Sequence, residues 1–425
     1  MSKNLANTWK IKPVRILSLS LVIIVTISVS FLFFKSETSE LMRDATDGES
    51  GSQYLLGYYY QHGIKFPQNY VEAEQWYLKA AEQGQVQAQM HLSDMYKDGV
   101  GIKKDPEKAF FWLKKASDQK LASAQTNLGN MYADGFGVPK DFQEAVSLWT
   151  LAADQGEANA ITNLGFYYLQ NQNTPENLSK AVAFLKRASD LGSSRAQFLL
   201  SGVYSGLYGE AYRNDSLALS LLNEAAIKGN SDAQHDLGLI YYEGKKVPKD
   251  FEVAGKWYRA SMLGGNEASR KFIEKSNNYC AHTLEISSAA LGPCFIGAYA
   301  DKPNSQDIIA YMYATGNVLP KDQKKSADWF LRSAKNGDQV AQITLVGYYL
   351  TGDGVPKDNA EALAWYLVVR DTQQEVRKKD KEIMGMVSKL WDMSSESQKQ
   401  TAIKKSKEYL SIIEEEKTRN KNHEL

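Results

Sequence analysis

The stretch AQTNLGNMYADGFGVPKDFQEAVSLWTLAADQG, residues 124–156, decides the fold, because close copies of it run through the chain. Its small residue, Ala124, has counterparts at Ser52, Ala88, Ala160, Ala196, Ala233, Ser269, Ser305 and Ala341. Every interval is 36 residues except the 37 between Ala196 and Ala233. Four residues later come Leu56, Leu92, Leu128, Leu164, Leu200, Leu237, Ile273, Ile309 and Leu345. Four further on stands a Tyr, at 60, 96, 132, 168, 204, 241, 313 and 349, with Asn277 breaking the row. Small, Leu and Tyr at i, i+4 and i+8 form one stripe of a helix, here helix A of each unit. A Gly such as Gly63, Gly99, Gly135, Gly244, Gly316 or Gly352 follows where a helix would end.

The tetrad VPKD at 138–141 returns as Val247 to Asp250, Leu319 to Asp322 and Val355 to Asp358. Pro cannot continue helix A, and Asp supplies an N-cap for a second helix, B. Asp141 with Glu144 and Asp358 with Glu361 have the spacing of a capping box. A calcium loop would need closely spaced oxygen ligands and a distal Glu, and this loop has neither. Helix B carries Ala73, Ala109, Ala145, Ala181, Ala218, Ala254 and Ala362, then Trp76, Trp112, Trp257, Trp329 and Trp365 at one shared position. The small residues let helices approach closely, and the Trp fills the space between.

This two-helix pattern closely resembles the SEL-one-like repeat, a relative of the tetratricopeptide repeat. The resemblance covers residues 51–370, about nine units. It implies an all-α, right-handed superhelix, a solenoid of 36-residue helix pairs. It also implies a non-enzymatic scaffold or adaptor for protein–protein interaction. Some anchored family members sit beside toxin genes, so the resemblance also admits an immunity protein that inhibits an exported, envelope-acting toxin such as a lipase effector. Independently of family, two-helix units bury a continuous core only between neighbours and need end caps. Residues 371–425 read as C-terminal capping helices and tail. Ser395 to Gln398 matches a capping box there, and Ile403, Tyr409, Leu410 and Ile413 form an apolar stripe.

The chain of 425 residues holds 50 basic and 50 acidic side chains, so no global charge draws it to nucleic acid. Residues 16–34, ILSLSLVIIVTISVSFLFF, carry no charge and would span about 28 Å as a helix. Lys3, Lys10, Lys12 and Arg15 precede them without an acid. This reads as a single transmembrane signal-anchor helix with residues 1–15 cytoplasmic, in preference to a cleaved signal peptide, whose apolar region is shorter and ends in small residues. The repeat domain is then expected on the periplasmic side of the inner membrane, joined by a linker over 35–50.

The seventh unit, 267–304, is degenerate: it loses the Tyr, the loop Gly, the Asp and the Trp. Cys280 stands at the loop Gly position and Cys294 at the Tyr of the Trp-Tyr pair, and these are the two cysteines of the chain. In an exported domain the pair suggests a disulfide that replaces lost packing. Free thiols, or half a metal site with His282, remain open on sequence alone. Family members with a cysteine pair in nearly every repeat form another subgroup, linked to β-lactam binding, and this chain lacks their pattern.

If the stripe packs inward, offsets −2, +2, +5 and +6 from the Leu lie within about 60° of the opposite pole of helix A. Tetratricopeptide repeats use this face as a concave groove. Here it places Tyr54, Tyr58, Phe166, Leu169, His235, Leu239, Tyr242 and Tyr311 as a candidate surface for a protein or peptide partner. The competing reading is that curvature buries these rings against the next repeat. The five histidines fall at unrelated repeat positions, and no H-E-x-x-H, G-x-S-x-G or phosphate-binding Gly loop occurs. No enzyme activity, cofactor or metal is expected.

Overall fold

The computed structural model describes residues 38–171, 174–281, 287–372 and 381–424. Its regular structure there is helical. A helix over 38–46, α1, precedes nine helix pairs. The pairs are α2 (Ser50–His62) with α3 (Tyr70–Glu82), α4 (Val86–Asp98) with α5 (Pro106–Asp118), α6 (Ala122–Asp134) with α7 (Phe142–Asp154), and α8 (Ala158–Gln170) with α9 (Pro175–Asp190). They continue as α10 (Ser194–Tyr204) with α11 (Asp215–Ile227), α12 (Ser231–Glu243) with α13 (Phe251–Leu263), and α14 (Glu267–Ala281) with α15 (Ser288–Tyr299). The last are α16 (Pro303–Thr315) with α17 (Gln323–Lys335) and α18 (Gln339–Thr351) with α19 (Asn359–Asp371), followed by α20 (Lys381–Met393) and α21 (Glu396–Glu424). One compact unit ends at Ala188 and a second begins at Ser189. Within each, consecutive helices pack on one another, so both are runs of an α-solenoid.

The sequence signals act as local chemistry. The Asp141 carboxylate accepts from the amides of Gln143 and Glu144 at 2.9 and 3.1 Å, and Asp358 does the same for Ala360 and Glu361. The Asp141 amide donates to the Tyr132 carbonyl at 2.9 Å, closing the A–B loop. Asp105 on Tyr96, Asp250 on Tyr241, Asp322 on Tyr313 and Asp358 on Tyr349 repeat that bond. Gly137 has φ 71°, and a Cβ there would lie 2.0 Å from the Pro106 carbonyl oxygen, so the loop presses on the preceding helix B through a bare backbone. The B–A turn needs φ near +90°, supplied by Gly84, Gly156 and Gly337; Lys120 and Asp301 hold the same register position at φ 64° and 59°.

A buried glutamine ties many of the repeats to the helix before; Ile161 and Arg270 hold its position in the fourth and seventh. The Gln89 side chain donates to the Ala81 carbonyl at 3.0 Å, a last-turn acceptor that also takes the Gly84 amide at 3.0 Å. Its oxygen accepts from Gln119 at 2.9 Å. Gln234 on Ala226, Gln306 on Ala298 and Gln342 on Ala334 copy the first bond, and Gln155 on Gln125 copies the second. Gln53 makes the first bond to the Ala45 carbonyl of α1. Residues 38–46, expected as linker, therefore form a helix that stands where a preceding helix B would stand and caps the stack.

At the other end, Tyr409 of α21 stacks on Trp365 with centroids 4.2 Å apart and donates to Glu361 at 2.6 Å. Lys405 pairs with the same carboxylate. The expected capping box is formed, with the Ser395 amide on Gln398 Oε1 at 2.9 Å and the Gln398 amide on Ser395 Oγ at 3.3 Å.

The expected membrane-crossing helix is corrected. No helix among the described residues is long and apolar enough to cross a membrane. The paired helices are at most 16 residues long, about 24 Å against a hydrocarbon thickness of about 30 Å, and the 29-residue α21 is rich in Lys and Glu. Residues 16–34, on which that expectation rested, lie outside the described residues. The fold class is thus an all-α repeat stack, with no membrane helix assigned to it.

Replacing Gln89 by Ala removes its buried hydrogen bond to the Ala81 carbonyl and its contact with Gln119, and leaves a cavity where the side chain was. The expected cost is about 1–3 kcal/mol, read as a lower midpoint of urea unfolding. Lys120→Gly relieves a left-handed residue and is expected to leave that midpoint unchanged or raised.

Candidate partner-binding surface

The predicted surface residues divide by what the next repeat does to them. In the first unit, Tyr54 and Tyr58 are half-buried. Tyr54 lies 5.9 Å from the ring of Tyr77 on α3, and Tyr58 lies 4.3 Å from His62. His91 of α4 stacks on the fully buried Tyr77 at 5.1 Å. Tyr77 donates its hydroxyl to Gln61 at 2.7 Å. Burial pushes the His91 imidazole below its ordinary range, so it packs as a neutral ring. Phe166 on α8 is half-buried. Leu169, expected on the open face, is instead core at 1% exposed. Its offset puts it 140° from the packing stripe, at the edge of that face, where the packing around α8 covers it.

In the second unit, His235 bonds Ser269 Oγ at 2.8 Å and meets Tyr258 edge-on at 5.4 Å. Tyr242 lies 5.4 Å from both Phe251 and Phe272. These rings fill the cleft between α12, α13 and α14. Leu239 at 38% and Tyr311 at 51% remain exposed. The structure joins Cys280 and Cys294 in a disulfide with Cα atoms 5.1 Å apart and both side chains fully buried. It ties the end of α14 to the middle of α15, where Pro293 stands in the Trp row. His282 lies outside the described residues, and among those described no three His, Cys, Asp or Glu gather as a metal cluster.

A cavity of about 330 Å³ opens between α10, α11, α12 and the irregular loop after α10. Phe198, Leu222, Leu239 and Ile240 form its apolar wall, and Asp236 and Lys246 supply charge. Burial raises the Asp236 carboxyl above the ordinary range, against the pull of His235 and Lys246 toward the charged form. Leu207, 72% exposed, stands at the rim. The groove prediction reached this site only through Leu239. Two signals for the rest were in the sequence: the 37-residue interval, and Gly202, which takes the register position of Tyr58, Phe166, Leu239 and Tyr311.

Core and surface separate experimentally. Leu169→Ala is expected to cost about 2–5 kcal/mol. Tyr311→Ser should stay within about 0.5 kcal/mol of wild type. Both are read as shifts in thermal unfolding.

The Sel1 repeat family model matches residues 50–85, 86–121, 122–157, 158–193, 194–230, 231–266, 303–338 and 344–367. No curated protein matches the chain. Among solved structures, a Sel1 repeat protein from Oxalobacter formigenes is 29% identical, over 56% of this chain and 95% of that one, with a TM-score of 0.50. A protective antigen of uropathogenic Escherichia coli with an SLR fold is 25% identical over 91% and 89%, at a TM-score of 0.35. An immunity protein of Pseudomonas aeruginosa is 20% identical over 51% and 83%, also at 0.35. With the family pattern on eight segments and the paired helices of the stack beneath it, this chain belongs to the Sel1 repeat family.

Proposed function

We propose that this protein is a non-enzymatic scaffold that holds protein partners on the faces of its repeats, and that it works outside the cytoplasm. Repetition along both units carries the first part. The units differ at exposed positions such as Leu239 and Tyr311 while their stacking residues recur, an arrangement that presents many side chains from a fixed frame. The Cys280–Cys294 disulfide supports the second part, because such bonds persist in oxidising compartments and are rare in the cytosol.

Gentle extraction of the full chain from its native cells, followed by size-exclusion chromatography with light scattering, should show a complex of defined stoichiometry. A chain that elutes alone even after crosslinking would overturn the scaffold. Thiol labelling of denatured, unreduced protein is expected to find no free cysteine; full labelling of both would overturn the compartment. Cys294→Ser should lower stability by about 3 kcal/mol, the chain-entropy value for closing a loop of about 15 residues.

A further inference from the structure

The clefts between successive repeats share one register, which shows what the cavity lacks. In the cleft between the first two repeats, the helix B position holds Tyr77, the second position after the helix A Leu holds Tyr58, and the position before the next Leu holds His91. In the cleft between the sixth and seventh repeats the same three places hold Tyr258, Leu239 and Phe272, with Tyr258 and Phe272 stacked at 4.5 Å. Between the fifth and sixth they hold Leu222, Gly202 and Asp236. A ring has become Leu, a large side chain has become Gly, and a ring has become a carboxylate. All three of these residues line the cavity, with Leu207 and Tyr208 facing Gly202.

The filled clefts also show how such a ring is held. Tyr77 donates its hydroxyl to Gln61, and Trp149, at the same helix B position in the third repeat, donates its indole N–H to Asn130 Oδ1 at 3.0 Å. These two clefts pair an aromatic donor with a side-chain oxygen, whereas Leu113 and Leu185 stand at that helix B position in the second and fourth repeats. Between α10 and α12 an oxygen is present on Asp236, Leu222 stands where those two rings are, and Tyr208 from the loop after α10 forms part of the wall. A second cation would face Lys246 inside the same cavity. A purely apolar occupant would cover the Asp236 carboxylate without a hydrogen bond, which is costly. A neutral ring carrying an N–H or O–H meets both demands.

We propose that the cavity lined by Phe198, Gly202, Leu222, Asp236 and Leu239 receives one tryptophan or tyrosine side chain from a protein partner, with Asp236 accepting its polar hydrogen. This deepens the scaffold reading and rests on it for the source of the side chain. Gly202 admits a direct test, since a Cβ there meets its nearest atoms at an ordinary 3.5 Å.

The experiment follows the methyl resonances of Leu199, Leu207, Leu219, Leu222, Leu239 and Ile240 in the full chain. The probes are N-acetyl-tryptophanamide, its indole N-methyl analogue, N-acetyl-leucinamide and N-acetyl-argininamide. Tryptophanamide is expected to shift these methyls and to bind about tenfold more tightly than each of the other three. Asp236→Leu should remove that preference, and Asp236→Asn, which keeps an oxygen acceptor, should retain it. Gly202→Tyr should abolish binding; if that variant fails to fold, Leu222→Tyr restores the ring found at Tyr77 and Tyr258 and should do the same. Equal binding of the N-methyl analogue or of leucinamide, preference for argininamide, shifts confined to other methyls, or no shift at all would overturn the proposal. Undiminished partner capture by Gly202→Tyr would overturn the cavity assignment and leave the scaffold standing. A chain that seats the probe yet captures no partner would overturn the scaffold reading instead.

Discussion

The hydrogen bond from a buried glutamine to the last turn of the preceding helix B is the interaction on which the stack depends. A two-helix unit has too little interior to stand alone, and the last-turn carbonyls of its helix B receive only the amides of the following turn from within the unit. Gln89, Gln234, Gln306 and Gln342 bear on both, because each adds to the turn amide's bond a second one on a last-turn carbonyl, and does so only when its own repeat is docked. The Ala rows on the two helices bring the backbones close enough for this reach. Polar satisfaction and apolar burial thus demand the same spacing, and a repeat that slips in register loses both.

That coupling explains how much of the fold was legible. Loop Gly, Asp cap, Ala row and Trp are short-range signals, and each became the element its chemistry predicts. The helix over 38–46 escaped notice because its role is set by Ala45 meeting Gln53, not by its own apolar pattern. The candidate surface was read less well for a related reason. A helical wheel treats helix A as isolated, whereas its outer face curves into the next repeat. Tyr54, Tyr58, His235 and Tyr242 therefore sit in intramolecular clusters, Leu169 is core, and Leu239 and Tyr311 stay exposed. No single offset from the Leu distinguishes these outcomes, because they depend on what the following unit carries.

The degenerate seventh unit shows the same logic under stress. It has lost the Trp, the capping Asp and the loop Gly, yet α14 and α15 still pair and pass the stack from α13 to α16. Burial of Cys280 and Cys294 among Ala290, Phe295, Ile309 and Met312 places a covalent tie where the packing ring is missing. The family model leaves 267–302 unmatched for the same reason the fold survives there: the cross-link does the work of the residues by which the repeat is recognised.

The cavity between the fifth and sixth repeats is the opposite case, a cleft left partly unfilled without a covalent tie. Leu222 and Gly202 hold less volume than the Tyr77 and Tyr58 of the first repeat or the Tyr258 and Leu239 of the sixth, and Asp236 brings a desolvated carboxylate to the gap. Stability alone would favour refilling it, since a void forfeits packing on all its walls. The local stack nevertheless remains intact, because the ties between repeats run through the glutamine positions and the B–A turns on another face of helix A. A repeat frame separates residues that stack the units from residues that fill the clefts. It can therefore keep a cavity in one cleft without losing the fold, and a cavity with a half-buried carboxylate on its wall is where specificity for a partner can be written.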